Sequence, residues 1–133
     1  MTIDELLETP YWVIDILPKQ VPSHGPGQYF AVEEYLLQEP QLAAIKQRHI
    51  NVVLKLNCYR DISIDEETET NPSPTRIARE MRERYVCLMV DGAMIVSEPD
   101  DATMTVFNPN EKLLELLEAL ASSEGLFVWQ PPN

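Results

Sequence analysis

Glycine, cysteine, histidine and basic residues are scarce in this chain, and each scarcity excludes a class of function. Only four glycines occur among 133 residues. No GxGxxG spacing is present, nor a GxxxxGK followed by Ser or Thr, so no phosphate-cradling loop of those types is encoded. A GxSxG nucleophile elbow is absent as well. The two cysteines, Cys58 and Cys87, and the two histidines, His24 and His49, form no CxxC or HxxxH pair. Structural zinc, which needs four clustered soft ligands, is therefore not expected. Ten basic residues stand against 22 acidic ones, for a formal net charge of −12. Nucleic acid and anionic membrane surfaces both select clustered cations, so neither is an expected partner.

Long hydrophobic runs are also missing. The longest, Tyr85 to Val90, has six residues, far below the ~20 that span a bilayer. The N-terminus, MTIDELLETP, has neither a basic region nor an apolar one, so it does not read as a secretory signal. These features point to a cytoplasmic protein with reduced thiols. What is present is ordinary globular composition, 44% hydrophobic and 24% charged. The length suggests one domain over residues 1–133.

Eleven prolines punctuate the chain. Tyr11 to Leu17 alternates as a strand, and the loop 21–27 follows with two prolines and two glycines. Residues 28–38 carry a helical stripe of Val32, Tyr35 and Leu36, and a second helix starts at Pro40 with Leu42, Ile45 and His49 on one side. Ile50 to Tyr59 reads as a strand with Ile50, Val52, Leu54 and Leu56 on its apolar face. Residues 65–73 are acidic and have little to bury, which predicts a flexible loop. Ser73 and Pro74 then cap and open a helix with Ile77, Met81 and Tyr85 on one face. Tyr85 to Ser97 is a hairpin around Asp91-Gly92, a type I′ turn. A short strand at Met104–Phe107 leads to a helix capped by Asn108 and closed by Gly125. A strand at Leu126–Trp129 and a polar tail, 130–133, complete the chain. The expected class is α+β. It has a single-layer mixed, partly antiparallel sheet of about five to seven strands, packed with three or four helices.

No catalytic set is visible. His24, Cys58 and Asp61 can be drawn as a triad, but core packing explains Cys58 better, and a helix-end structural role suits His49. Asp61, Ser63 and Asp65 match the first positions of a calcium loop. That loop fails at Glu66, where it needs Gly, and at Pro72, where it needs Glu. Neither metal nor cofactor is thus expected. Arg76 and Arg79 lie opposite the apolar face of their helix and are candidates for contact with an anion, or for pairing with nearby acids. The charge itself is the strongest functional signal, since an acidic field speeds encounter with a basic protein. The expected contact surface is an acidic tip. One is Asp61, Asp65, Glu66, Glu67 and Glu69, beside Tyr59. The other is Glu98, Asp100 and Asp101. The leading reading is a non-catalytic interaction module of the adaptor or inhibitor kind. The alternative is a small enzyme or metabolite-binding domain, its pocket near the 21–27 loop, Arg60 and the arginine helix. Its site would be completed by a second subunit. A homodimer fits the hairpin, whose two apolar faces both need cover.

Overall fold

The computed structural model describes residues 1–22 and 27–132. The expected triad partner His24 lies outside the described residues, as does most of the 21–27 loop. The elements run α1 (Ile3–Leu6), β1 (Tyr11–Asp15), α2 (Tyr29–Leu36), α3 (Glu39–Asn57), β2 (Ser63–Ile64), α4 (Pro74–Glu83), β3 (Val86–Val90), β4 (Ala93–Ser97), β5 (Met104–Phe107), α5 (Glu111–Ser123) and β6 (Phe127–Trp129). The fold is α+β. One open sheet has the order β2-β3-β4-β5-β1-β6, and each of its pairings is antiparallel.

The hairpin is built as its sequence predicts. Asp91 and Gly92 both take positive φ, 50° and 75°, as a type I′ turn demands. The register follows, with Val90 opposite Ala93, Leu88 opposite Ile95 and Val86 opposite Ser97. Ser73 caps α4 by accepting from the Arg76 N–H at 3.1 Å. Gly125, at φ 72°, closes α5. The start of that helix lies two residues later than expected. Asn110 is the cap, its Oδ1 accepting from the Leu113 N–H at 2.8 Å, while Asn108 holds a left-handed turn after β5.

The largest difference is Ile50 to Tyr59, which is not a strand. Residues 50–57 extend α3 to nineteen residues, and Cys58 and Tyr59 follow its end. No Gly or Pro interrupts the chain between Pro40 and Asn57, so nothing stops the helix once it begins. As a helix this segment buries Ile45, Lys46, His49, Ile50, Val52, Val53 and Leu56. Cys58 consequently sits at an exposed helix end and not in a core strand. α3, α4 and α5 cover the sheet face formed by Ile14, Leu88, Ile95 and Val106. The opposite face carries Cys87 and Met94, against which Leu6 of α1 packs. The short N-terminal helix thus supplies part of the cover that the hairpin's second apolar face needs.

The helical register makes an ordering testable. Val53 is fully buried and Leu54 only partly. Val53→Ala is expected to lower unfolding free energy by about 2 kcal/mol, more than Leu54→Ala despite the smaller truncation. Denaturant melts of the two variants check this, and a strand would give the reverse order.

Candidate functional site

The two acidic tips are built differently. At the first, the carboxylates are largely engaged by their own chain. Asp65 accepts from the Cys87 N–H at 3.0 Å through one oxygen and pairs with Arg84 at 2.8 Å through the other. Glu67 and Glu69 both grip Arg76, at 2.7 and 2.6 Å. Asp61 accepts from the Asn71 amide, whose oxygen in turn accepts from the Ile62 N–H. Glu66 stands exposed, and Tyr59 is exposed beside the tip. Arg76, a candidate anion contact, is therefore already held between two carboxylates. Arg79 is exposed and makes no ion pair among the described residues.

The second tip, Glu98 to Asp101, joins β4 to β5. Among the described residues none of its three carboxylates forms an ion pair. Asp101 shapes the turn, its Oδ1 accepting from both the N–H and the hydroxyl of Thr103 at 3.1 Å. Beneath it lies a set of groups that the sequence reading did not assemble. Asp15, Lys46, His49 and Ser97 are the buried polar side chains of the described protein, and all four converge on residues 97–103. Lys46, only 4% exposed, donates from Nζ to the Ser97 hydroxyl at 3.0 Å. Burial pushes its pKa down to about 8, against the pull of Asp101, Glu98 and Asp100. His49, one helical turn on, is held neutral. Burial and the neighbouring Lys46 drive its pKa down to about 3, opposed only by the carbonyl of Ala102. Neither of its ring nitrogens completes a hydrogen bond. Asp15, at the end of β1, has its pKa raised by burial and by Asp101, with the Leu17 and Ile16 N–H groups and the Trp129 indole acting the other way.

Spacing offers one clue to this cluster. Lys46 belongs to the stripe of Leu42, Ile45, His49 and Val53 on one long helix, a core position for a lysine. Lysine is so seldom buried that the default is to leave it outside. Lys46 and Ser97 are both sealed from solvent, and their hydrogen bond ties α3 to the start of the turn.

Over this cluster, α2 leans against the second tip and leaves a cavity of about 180 Å³. Asp15, Asp100, Asp101 and Glu33 contribute its acidic groups, and Ile16, Leu17, Val32, Leu36 and Leu37 its apolar walls. The Tyr29 hydroxyl donates to Glu33 at 2.7 Å, a bond that lifts the Tyr29 pKa to about 12. No described residue of α2 is buried. Phe30 is 80% exposed, Tyr35 55% and Val32 52%. No described group of His, Cys, Asp and Glu is arranged to hold a metal ion, and no described helix is long and apolar enough to cross a membrane.

The buried cation and the buried imidazole set the pH dependence of stability. Between pH 8 and 10.5 the unfolded chain keeps a proton that folded Lys46 has released, so folding gains stability from this site as pH rises. Lys46→Met is expected to stabilise the protein at pH 7 by about 1–3 kcal/mol, the gap narrowing at about pH 10. For His49, stability is complete above pH 6.5 and falls toward pH 3, by about 1.4 kcal/mol per unit. His49→Leu is expected to flatten that acid limb. Denaturant melts of both variants across pH check the two signs.

Compared with protein families, curated proteins and solved structures, the chain matches none.

Proposed function

We propose that this protein is a non-catalytic interaction module that binds a basic protein segment across α2 and the turn at residues 98–101. The observation that carries the reading is α2 itself. This eight-residue helix exposes Phe30, Val32 and Tyr35 and buries none of its residues. A helix that covers no core gains little from folding alone, and exposed apolar side chains beside charge are the anatomy of a contact surface. Val32 and Tyr35 share one side of α2, about 60° apart, and Phe30 stands about 140° round from Tyr35. Acidic residues stand beside these side chains: Glu34 is exposed on the same helix, and Asp100 and Asp101 line the cavity next to α2. Burying each of the three large side chains contributes about 2 kcal/mol, and complementary charge adds encounter rate and selectivity.

The first acidic tip supports the reading less. Arg76 and Arg84 already neutralise much of it, so its outward field is weaker. The cavity beside α2, about 180 Å³, lies below the roughly 300 Å³ at which drug-sized ligand pockets begin. Two other clefts, about 410 Å³ at Tyr85 and Glu98–Asp101 and about 470 Å³ at Lys19–Pro22 and Trp129, are large enough for the metabolite-binding alternative.

Tagged protein in native lysate at about 50 mM and about 500 mM salt gives the test. A basic partner is expected at low salt and lost at high salt. Phe30→Ala with Tyr35→Ala is expected to weaken its capture about tenfold, as removal of hot-spot aromatics does. Asp100→Asn with Asp101→Asn is expected to do the same. Glu66→Gln with Glu67→Gln is expected to leave capture near the wild-type level. Equal loss at both tips, or capture indifferent to Phe30 and Tyr35, contradicts the assignment.

A further inference from the structure

We propose that the cavity beside α2 is a pocket for one long cationic side chain, lysine or arginine, presented by the basic partner. This deepens the interaction reading and rests on it. Size is the first argument. A cavity near 150 Å³ takes a guest about the size of benzene, so 180 Å³ suits one side chain.

Shape and chemistry give the second argument. Ile16, Leu17, Val32 and Leu36 form apolar walls, which match the methylene stem of lysine or arginine. Asp15 meets the charged head. It is only 8% exposed, it lines the cavity, and it forms no salt bridge among the described residues. A buried carboxylate without a cation is costly to the folded state, and a cation arriving beside it offsets that cost. Burial already pushes the Asp15 pKa up, and the charge of Asp101 pushes the same way. Asp15 has N–H groups near it, those of Ile16 and Leu17 and the buried Trp129 indole, but no cation.

The third argument is the charge around the cavity. Asp101 shares the lining, and Glu33 stands on the α2 side, fastened by the Tyr29 hydroxyl. Lys46 lies under the turn and does not line the cavity. Its single charge compensates at most one of the three carboxylates at Glu98, Asp100 and Asp101. The space therefore stays negative.

The test is a nuclear magnetic resonance titration of the whole protein with three end-blocked alanine pentapeptides, whose central residue is arginine, lysine or citrulline. Citrulline keeps the shape of arginine and removes its charge. The arginine and lysine peptides are expected to bind with Kd on the order of 1 mM, shifting the amides of Ile16, Leu17, Ala102 and Thr103. The citrulline peptide is expected to bind at least about tenfold more weakly. Asp15→Asn is expected to lower the arginine peptide's affinity by about tenfold. If that variant does not fold, Asp101→Asn serves, since Asn keeps the oxygen that accepts from Thr103. Glu66→Gln, at the other acidic tip, is expected to leave pentapeptide affinity unchanged, because Glu66 does not line the cavity. Equal binding of the citrulline peptide, or shifts confined to other surfaces, overturns the proposal. Agmatine binding about tenfold tighter than the arginine peptide also overturns it, since the site would then serve a free amine. Absent pentapeptide binding alongside a partner that still needs Phe30 refutes the pocket alone. Pentapeptide binding without any Phe30-dependent partner refutes the docking reading.

Discussion

A lysine inside the protein governs the arrangement of the candidate site. Lys46 is carried into the interior by α3, which cannot turn it outward without withdrawing Ile45, His49, Ile50 and Val53 from the core. An ammonium there is unfavourable unless charge and hydrogen bonds offset its desolvation. The Ser97 hydroxyl supplies one bond, and the carboxylates of Glu98, Asp100 and Asp101 supply the opposing field. The acidic turn is thus gathered over a buried cation, and the carboxylates that stabilise Lys46 also face outward. Stability and surface potential therefore share the same residues. A hydrophobic replacement at Lys46 would favour folding while removing the reason for three carboxylates to crowd together.

Net charge alone does not locate a binding surface on this protein. Both acidic tips look alike as sequence. In three dimensions the tip at 61–69 is knitted to Arg76 and Arg84 and to the Cys87 backbone. The tip at 98–101 has its compensating charge underneath, sealed from solvent. Exposed ion pairs add little to stability, but they consume negative potential where they occur. The location of the cations, more than the count of acids, decides which tip presents an open field beside the apolar residues of α2.

The parts of the fold that were legible share a trait: one local signal with one solution. Asp91-Gly92 demands two positive φ values and so fixes the hairpin and its register. Ser73-Pro74 and Gly125 mark helix ends by backbone geometry. Residues 50–56 lack such a signal. Ile50, Val52, Leu54 and Leu56 satisfy a period of two, while Ile50, Val53 and Leu56 satisfy a helical one, and a short apolar run cannot decide between them. The uninterrupted stretch from Pro40 settles it as a helix. The same ambiguity hides Lys46, because a helix ending at His49 gives it no long buried stripe to belong to, whereas His49 already stands on the apolar side with Leu42 and Ile45. Asp15 and Ser97 were hidden for another reason. Each sits at a strand end, and only the tertiary fold brings those ends together beneath one turn. Val32 and Tyr35 of α2 look like core residues in the sequence because, with Leu36, their spacing is right for burial, yet both are exposed. Spacing says which side chains share a face and says nothing about what lies opposite.

The central claim is that α2, beside the turn at 98–101, faces a basic partner. A photo-crosslinkable phenylalanine analogue placed at Phe30 in the protein's native cell tests it most directly, with the same analogue at Glu66 as the comparison. The account predicts a single dominant crosslinked product from position 30, joined to a protein through a lysine- or arginine-rich segment, and little from position 66. Crosslinking from position 66 alone, or from position 30 only to acidic or neutral proteins, would contradict it.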